Sequence, residues 1–386
     1  MDNRDRFFNL LEGKEVERAP FFPDITTWYE NSRKTVGEEE IFGPGVYIPD
    51  DHEFHSRDSR LPAELADLTF LDFYRKYDWG LPVHIYDWYR VEYQNGVVRK
   101  EERNGKKKHI EFQTPLGSIS KTLKMGAEGS WVITDFFVED ISDLEIIKYI
   151  YKNRKVLADF SPVKKFHRET QGFGVCDLVI WRSPFGKLIH EFMGFEKVVY
   201  ALHDEEDQKA VHDFLAFQTE QDLKIIREAA SSPAEIIIIS DHADETLISP
   251  RQYQKYCIPF YQQACEIMHA ENKYVSTHLD GNIKNYLPII KESHFDLLDG
   301  CTPAPMFNYT VEELAETADE DLHCYCGVPS TFFVQQLPTE RIINYGIRIV
   351  DAFAKNVIVN IGDILPPSGD INQVIELGRA VKNYKK

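Results

Sequence analysis

His278, Asp280 and Asp363 carry the clearest chemical signal in this 386-residue chain. His278 and Asp280 are two apart, so on a β-strand both side chains leave the same face. Asp363 follows a later apolar run, NVIVNIG (356–362). One imidazole and two carboxylates form a ligand set for zinc or a harder divalent ion, with a coordination position left open for substrate. Asp299 and Cys301 in FDLLDGC (295–301) and Cys326 in LHCYCGV (322–328) offer further metal or substrate contacts. The segment SDHADE (240–245) presents Asp241, His242 and Asp244, which are able to move a proton or orient a substrate. Arg182 and Lys187 follow VCDLVIW (175–181) and could stabilise developing negative charge. Each residue also has a plainer role. Asp280, Asn282 and Asp363 suit helix caps, and Cys324 and Cys326 alternate as small buried hydrophobes would. Convergence favours function, because consecutive strands deliver ligand-type groups to one end.

Those strands can be placed from the apolar pattern. The runs 175–181, 234–240, 273–280, 295–301, 322–328 and 356–362 read as strands, several without polar alternation, as expected when both faces are buried. Helical patterns follow each one: to about residue 230, from Ser249-Pro250 to about 270, to about 291, around 310–318, 339–354 and 371–385. Strand–helix alternation implies a parallel sheet with helical crossovers, and an eight-stranded (β/α)8 TIM barrel over 1–386 as a single domain fits best. An open doubly wound sheet is the alternative. In a barrel, catalysis sits at the strand C-termini. Near the start, Asp2 or Asn3 caps a short helix with Phe7, Leu10 and Leu11 on one face and Gly13 at its end, and RAPFFPD (18–24) reads as a first strand. Residues 25–80 are rich in turns, aromatics and charges and give no clear pattern. Residues 91–124 read as an inserted antiparallel β-hairpin region with Asn95-Gly96 and Asn104-Gly105 as turns.

The formal charge of −19 argues against nucleic acid and anionic membranes as partners, since both demand basic patches. No apolar run approaches the length of a membrane span. The start lacks the pattern of a secretory signal, and six irregularly spaced cysteines predict free thiols in a cytoplasmic setting. GxxxxGK[ST] and HExxH are absent, and Gly172-Phe173-Gly174 lacks the third glycine of a dinucleotide fingerprint.

Several segments together resemble the uroporphyrinogen decarboxylase superfamily over nearly the whole chain: RDRFFNLLEGKEVERAPFFPD, TPLGSISKT, RSPFGKLIHEFMGFEKVVYALHDEED, LISPRQYQKYCIPFYQQACEIMHAEN and NIGDILPPSGDINQVIELGRAV. The resemblance implies a TIM barrel. The decarboxylase branch carries an RQAGRY-like segment whose arginines bind the acidic porphyrinogen, and here that region reads PFFPDITTWYENSRK. The other branch holds zinc methyltransferases that work with corrinoid proteins, using an H-x-C pair and a later Cys as zinc ligands. This sequence keeps His278 but has Asp280 and Asp363 where that branch has cysteines. Carboxylates leave more positive charge on a metal than thiolates do, which suits polarisation of an oxygen- or nitrogen-bound methyl group.

The resemblance therefore implies transfer of a methyl group from a small O- or N-methylated donor to a corrinoid (cobalamin) carried by a partner protein. It also implies a monomer or homodimer. Trp28, Tyr29, Trp88 and Tyr89 offer either an aromatic pocket for a methyl-aryl ether or ordinary core. A carboxy-lyase acting on a smaller acid through Arg182 or Lys187 is one competing reading. A non-catalytic ligand- or corrinoid-binding barrel is another.

Overall fold

The computed structural model describes residues 1–33, 63–126, 131–335, 337–354 and 356–384. Much of the 25–80 region falls outside these. Among the described residues the strands are β1 (Leu81–Ile85), β2 (Tyr89–Tyr93), β3 (Val98–Asn104), β4 (Lys107–Thr114), β5 (Gly117–Met125), β6 (Trp131–Asp135), β7 (Arg154–Ala158), β8 (Gly174–Trp181), β9 (Ile236–Ser240), β10 (Tyr274–His278), β11 (Leu297–Cys301), β12 (His323–Gly327) and β13 (Val357–Asn360). Seven of them form one curled parallel sheet in the order β1-β8-β9-β10-β11-β12-β13. Its strands are short and buried on both faces, as in the Ile236–Ser240 run, because helices cover the outside and neighbouring strands fill the inside.

The two edges of this sheet are joined through Pro20–Phe22. Phe22 N–H donates to Val359 O and Val359 N–H to Pro20 O, both at 2.9 Å, while Gly80 N–H donates to Phe21 O at 2.8 Å. Gly80 is needed there, since a Cβ would meet the Phe22 ring at 2.3 Å. The strand expected over 18–24 thus shrinks to a single bridge at Phe21. Pro20 and Pro23 lack the N–H groups that a longer ladder requires.

Side-chain parity along the strands decides what faces the interior. Val175, Ile236, Leu297, Tyr325 and Ile358 point inward and pack with Phe22 against Phe7, Leu10 and Leu11 of the helix Asn3–Leu11. Asp2 caps that helix by accepting from Asp5 N–H at 2.8 Å, and Gly13 beyond its end has φ +67°. The helix plugs the N-terminal end of the strands and leaves the C-terminal end to form a mouth.

The segment between β1 and β8 leaves the sheet. β2 pairs antiparallel with β7, and β3 to β6 form a four-stranded antiparallel sheet reaching Asp135. Asn104-Gly105 turns a hairpin between β3 and β4. Asn95-Gly96 does not, because its flanking strands join different sheets. Two helical expectations also change. The stretch after β10 has turns and only a 3-10 helix, Ile290–Ser293, since Gly281 and Pro288 interrupt it. The helix opening at Pro250 passes through a π-turn, Tyr253–Cys257, just before Pro259, which has no N–H for the α-helical ladder. All six cysteines are free and buried. Among the described residues no helix is long and apolar enough to cross a membrane.

Candidate active site at the strand C-termini

Two His–Asp pairs line the mouth, each formed across neighbouring parallel strands. His84 of β1 is in register with Asp177 of β8, and its Nδ1 lies 2.8 and 2.9 Å from the two carboxylate oxygens. His278 of β10 is in register with Asp299 of β11, and its Nδ1 donates to Asp299 Oδ2 at 2.6 Å. Asp24, Asn360 and Asp363 share the His84 and Asp299 cavity. Gly300, at φ +73°, makes room for His278, because a Cβ there would sit 2.6 Å from the imidazole.

The electrostatics follow from this crowding. Burial would discharge His278, but the carboxylates of Asp363 and Asp299 raise its pKa to about 9. Burial alone would raise Asp299, yet the hydrogen bond and positive charge of His278, with the charge of His84, together outweigh it and hold the carboxyl below its ordinary value. Asp280 rises to about 6, through burial and the nearby Asp363 carboxylate. Burial, reinforced by the positive charges of His278 and Arg182, pushes His242 down to about 2, so its imidazole is neutral. Burial also raises Asp24 and Asp363. Asp363 still keeps 46% of its side-chain surface open to the mouth.

His84 is the other imidazole held protonated: burial opposes charge, but Asp177 raises its pKa to about 10. A group whose pKa is higher in the folded state contributes its full stability below its unfolded value of about 6.5, and loses it as pH rises through the folded value. The urea midpoint should therefore fall between about pH 6.5 and 10, and His84→Gln should flatten that slope. An unchanged slope in the variant would assign the loss to other groups.

Ligand atoms of His242, His278 and Asp280 lie within 4.8 Å of one another. The His242 and His278 ring centroids are 4.5 Å apart, and His242 Nε2 is 3.0 Å from Ser240 Oγ. His242 adopts φ +49°, and its backbone N–H donates to His278 O, which holds it over β10. Asp363 Oδ1 is 3.6 Å from His278 Nε2 but stands outside the compact group. Arg182 reaches the same side, with Nη1 3.5 Å from Ser240 O and its buried Nε without a partner among the described residues.

Other sequence candidates lie elsewhere. Asp241 follows inward-facing Ser240 and so points out to the helices, fully buried, accepting a hydrogen bond from Tyr261 Oη. Asp244 accepts from Thr246 and from Asn282 N–H and Nδ2, tying the β9 loop to the β10 loop. Cys324 and Cys326 flank inward Tyr325, so they face the outer helices, and Cys301 packs there with them. Burial pushes all three thiols well up. Lys187 is buried in the helix layer, 2.7 Å from Asp222. Trp28, Tyr29 and Trp88 are core, and Trp88 Nε1 donates to Val179 O at 2.7 Å. A different aromatic pair, Tyr86 and Trp181, stacks at 5.2 Å beside the carboxylates. Strand parity was the available signal for this pair and for His84 and Asp177. Asp177 is the one charge inside an apolar strand, and Trp181 lies two pleats beyond it.

The family profile for Uroporphyrinogen decarboxylase (URO-D) matches residues 181–384. The chain belongs to the uroporphyrinogen decarboxylase family. Among solved structures it is similar to a methyltransferase from Methanosarcina mazei, with TM-score 0.60 and 13% identity over 99% of this chain and 98% of that one. It also matches a B12-independent methionine synthase from Shewanella sp. W3-18-1, with TM-score 0.43 and 10% identity over 95% and 94% of the two chains. At such identities the first likeness shows a shared fold and no more. No curated protein matches the sequence. The matched uroporphyrinogen decarboxylase region contains Arg182, His242, His278, Asp280, Asp299 and Asp363, whereas His84 and Asp177 precede it.

Proposed function

We propose that this protein is a metal-dependent methyltransferase that moves a methyl group from a small O- or N-methylated donor to a corrinoid (cobalamin) protein. In this reading it acts in the cytoplasm as one (β/α)8-barrel domain, monomeric or homodimeric, with Pro20–Phe22 as the eighth strand. The supporting observation is the approach of His242, His278 and Asp280 ligand atoms to within 4.8 Å at the mouth. Two imidazoles and one carboxylate suit zinc and leave one position open. The fit is strengthened by Asp299, which holds His278 Nδ1 at 2.6 Å and so directs Nε2 into the group. His242 is neutral and offers a lone pair, while zinc would displace the Nε2 proton that His278 carries in the metal-free protein.

Zinc bound there would supply Lewis acidity to the donor oxygen or nitrogen. The chain's own residues do the rest. Tyr86 and Trp181 give an aromatic face for a methyl-aryl donor. Asp24, whose pKa burial raises, lines the His84 and Asp299 cavity and is the proposed proton donor to the departing group. The sequence has no DxHxxG cobalamin signature, so the corrinoid is assigned to a partner protein.

The unpartnered Arg182 Nε favours a carboxy-lyase as the second reading. Lys187, neutralised by Asp222, no longer supports it. The test is to supply Co(I) cobalamin with methoxylated aromatics and N-methylated amines and follow methylcobalamin formation. Zinc-dependent formation from any donor supports methyl transfer. Chelator-resistant, Arg182-dependent release of carbon dioxide from small acids would replace that reading with the lyase.

A further inference from the structure

A second cavity lies away from the mouth, between the antiparallel sheet β3–β6, the helix Asp143–Lys152 and the π-turn Leu188–Phe192. It encloses about 210 Å³. One side of it is apolar, with Ile119, Phe137, Ile147 and Ile150 all buried, and the other is polar and charged. For scale, a cavity of about 150 Å³ accommodates benzene.

The cations inside it are unusual. On β5, Lys121 alternates with Ile119 and Leu123, so a lysine occupies the apolar face of the sheet. Its ammonium lies 4.8 Å from the Phe137 ring centroid, and among the described residues it has no hydrogen bond or ion pair. Arg154 also lines the cavity, with its guanidinium 3.6 Å over the Tyr151 ring and no carboxylate partner among those residues. Arg99, the third cation, is engaged by Glu101. Among the described residues Glu191 is the one acid in the lining, so positive charge is in excess there. Burial lowers the pKa of Lys121, the cost expected of a cation held without a counter-charge.

We infer that this cavity binds a small aromatic monocarboxylate, its ring among the isoleucines and phenylalanine and its carboxylate between Lys121 and Arg154. The apolar side favours a ligand with a ring over inorganic phosphate. The proposal stands independently of the chemistry at the mouth.

Titration calorimetry of the intact protein with phenylacetate, and with 2-phenylethanol as the neutral counterpart, tests it. Phenylacetate should bind one per chain, with the alcohol weaker by about ten-fold or more, as expected when a charge-assisted hydrogen bond is lost. Lys121→Met and Arg154→Gln should each weaken phenylacetate by a similar factor, and Lys121→Arg should retain binding. Glu191→Gln should tighten it by removing the opposing carboxylate. The ligand-free Lys121→Met protein should melt no lower than wild type, which separates lost recognition from misfolding. Absence of phenylacetate binding, equal affinity for the alcohol, or undiminished binding in a folded Lys121→Met protein would overturn the assignment.

Discussion

Lys187→Met should destabilise the protein by about 3–5 kcal/mol, the loss expected when one partner of a buried ion pair is removed. Lys187 and Asp222 retain only 9% and 1% of their side-chain exposure, and their charged atoms are 2.7 Å apart. Asp222 keeps one neutral hydrogen bond, from Gln218 Nε2 at 2.8 Å, which cannot replace a full counter-charge. The double variant Lys187→Met/Asp222→Leu should recover most of the loss, because it leaves no charge buried. Urea denaturation of the three proteins checks this. Equal midpoints for wild type and Lys187→Met would show that the pair is not formed. The contrast matters for function: the sequence offers Lys187 as a cation for a lyase, whereas the fold spends it on joining two helical elements.

Asp299→Asn should weaken zinc binding by about 10- to 100-fold, the usual effect of removing the carboxylate that orients a metal-ligating histidine. Its role is to position His278. Asn keeps the shape of the side chain but loses the charge that fixes Nδ1–H toward β11 and leaves Nε2 for the metal. Chelator competition gives the affinity, and melting of the metal-free variant shows whether the fold persists. A folded variant with unchanged affinity would remove Asp299 from the account.

Much of the barrel was legible because fully buried parallel strands have a simple signature. Uninterrupted apolar runs such as Ile236–Ile239 mark both faces as covered, and polar groups collected at their C-terminal ends. His278, Asp280 and His242 emerged from that rule, although His242 stood in the sequence as a proton carrier and not beside the metal pair. What parity alone could have shown was which neighbours turn away. Asp241 comes one residue after inward Ser240, and Cys324 and Cys326 flank inward Tyr325, so alternation sends all three outward. The Leu298–Cys301 irregularity hid the direction of Cys301. His84 escaped notice because β1 is only five residues, contains a proline and is followed by a long excursion. The pairing of β2 with β7 rather than β3 depends on partners some sixty residues apart, which local turn chemistry at Asn95-Gly96 does not encode.

The proposed function requires the His242–His278–Asp280 cluster to hold a metal. The direct measurement is the zinc content of tag-free protein after incubation with zinc and dialysis, for wild type, His278→Ala, His242→Ala and Asp363→Ala. About one zinc per wild-type chain is expected, lost in His278→Ala and His242→Ala and retained in Asp363→Ala. Wild type without zinc, or His278→Ala with a full complement, would contradict the proposed function.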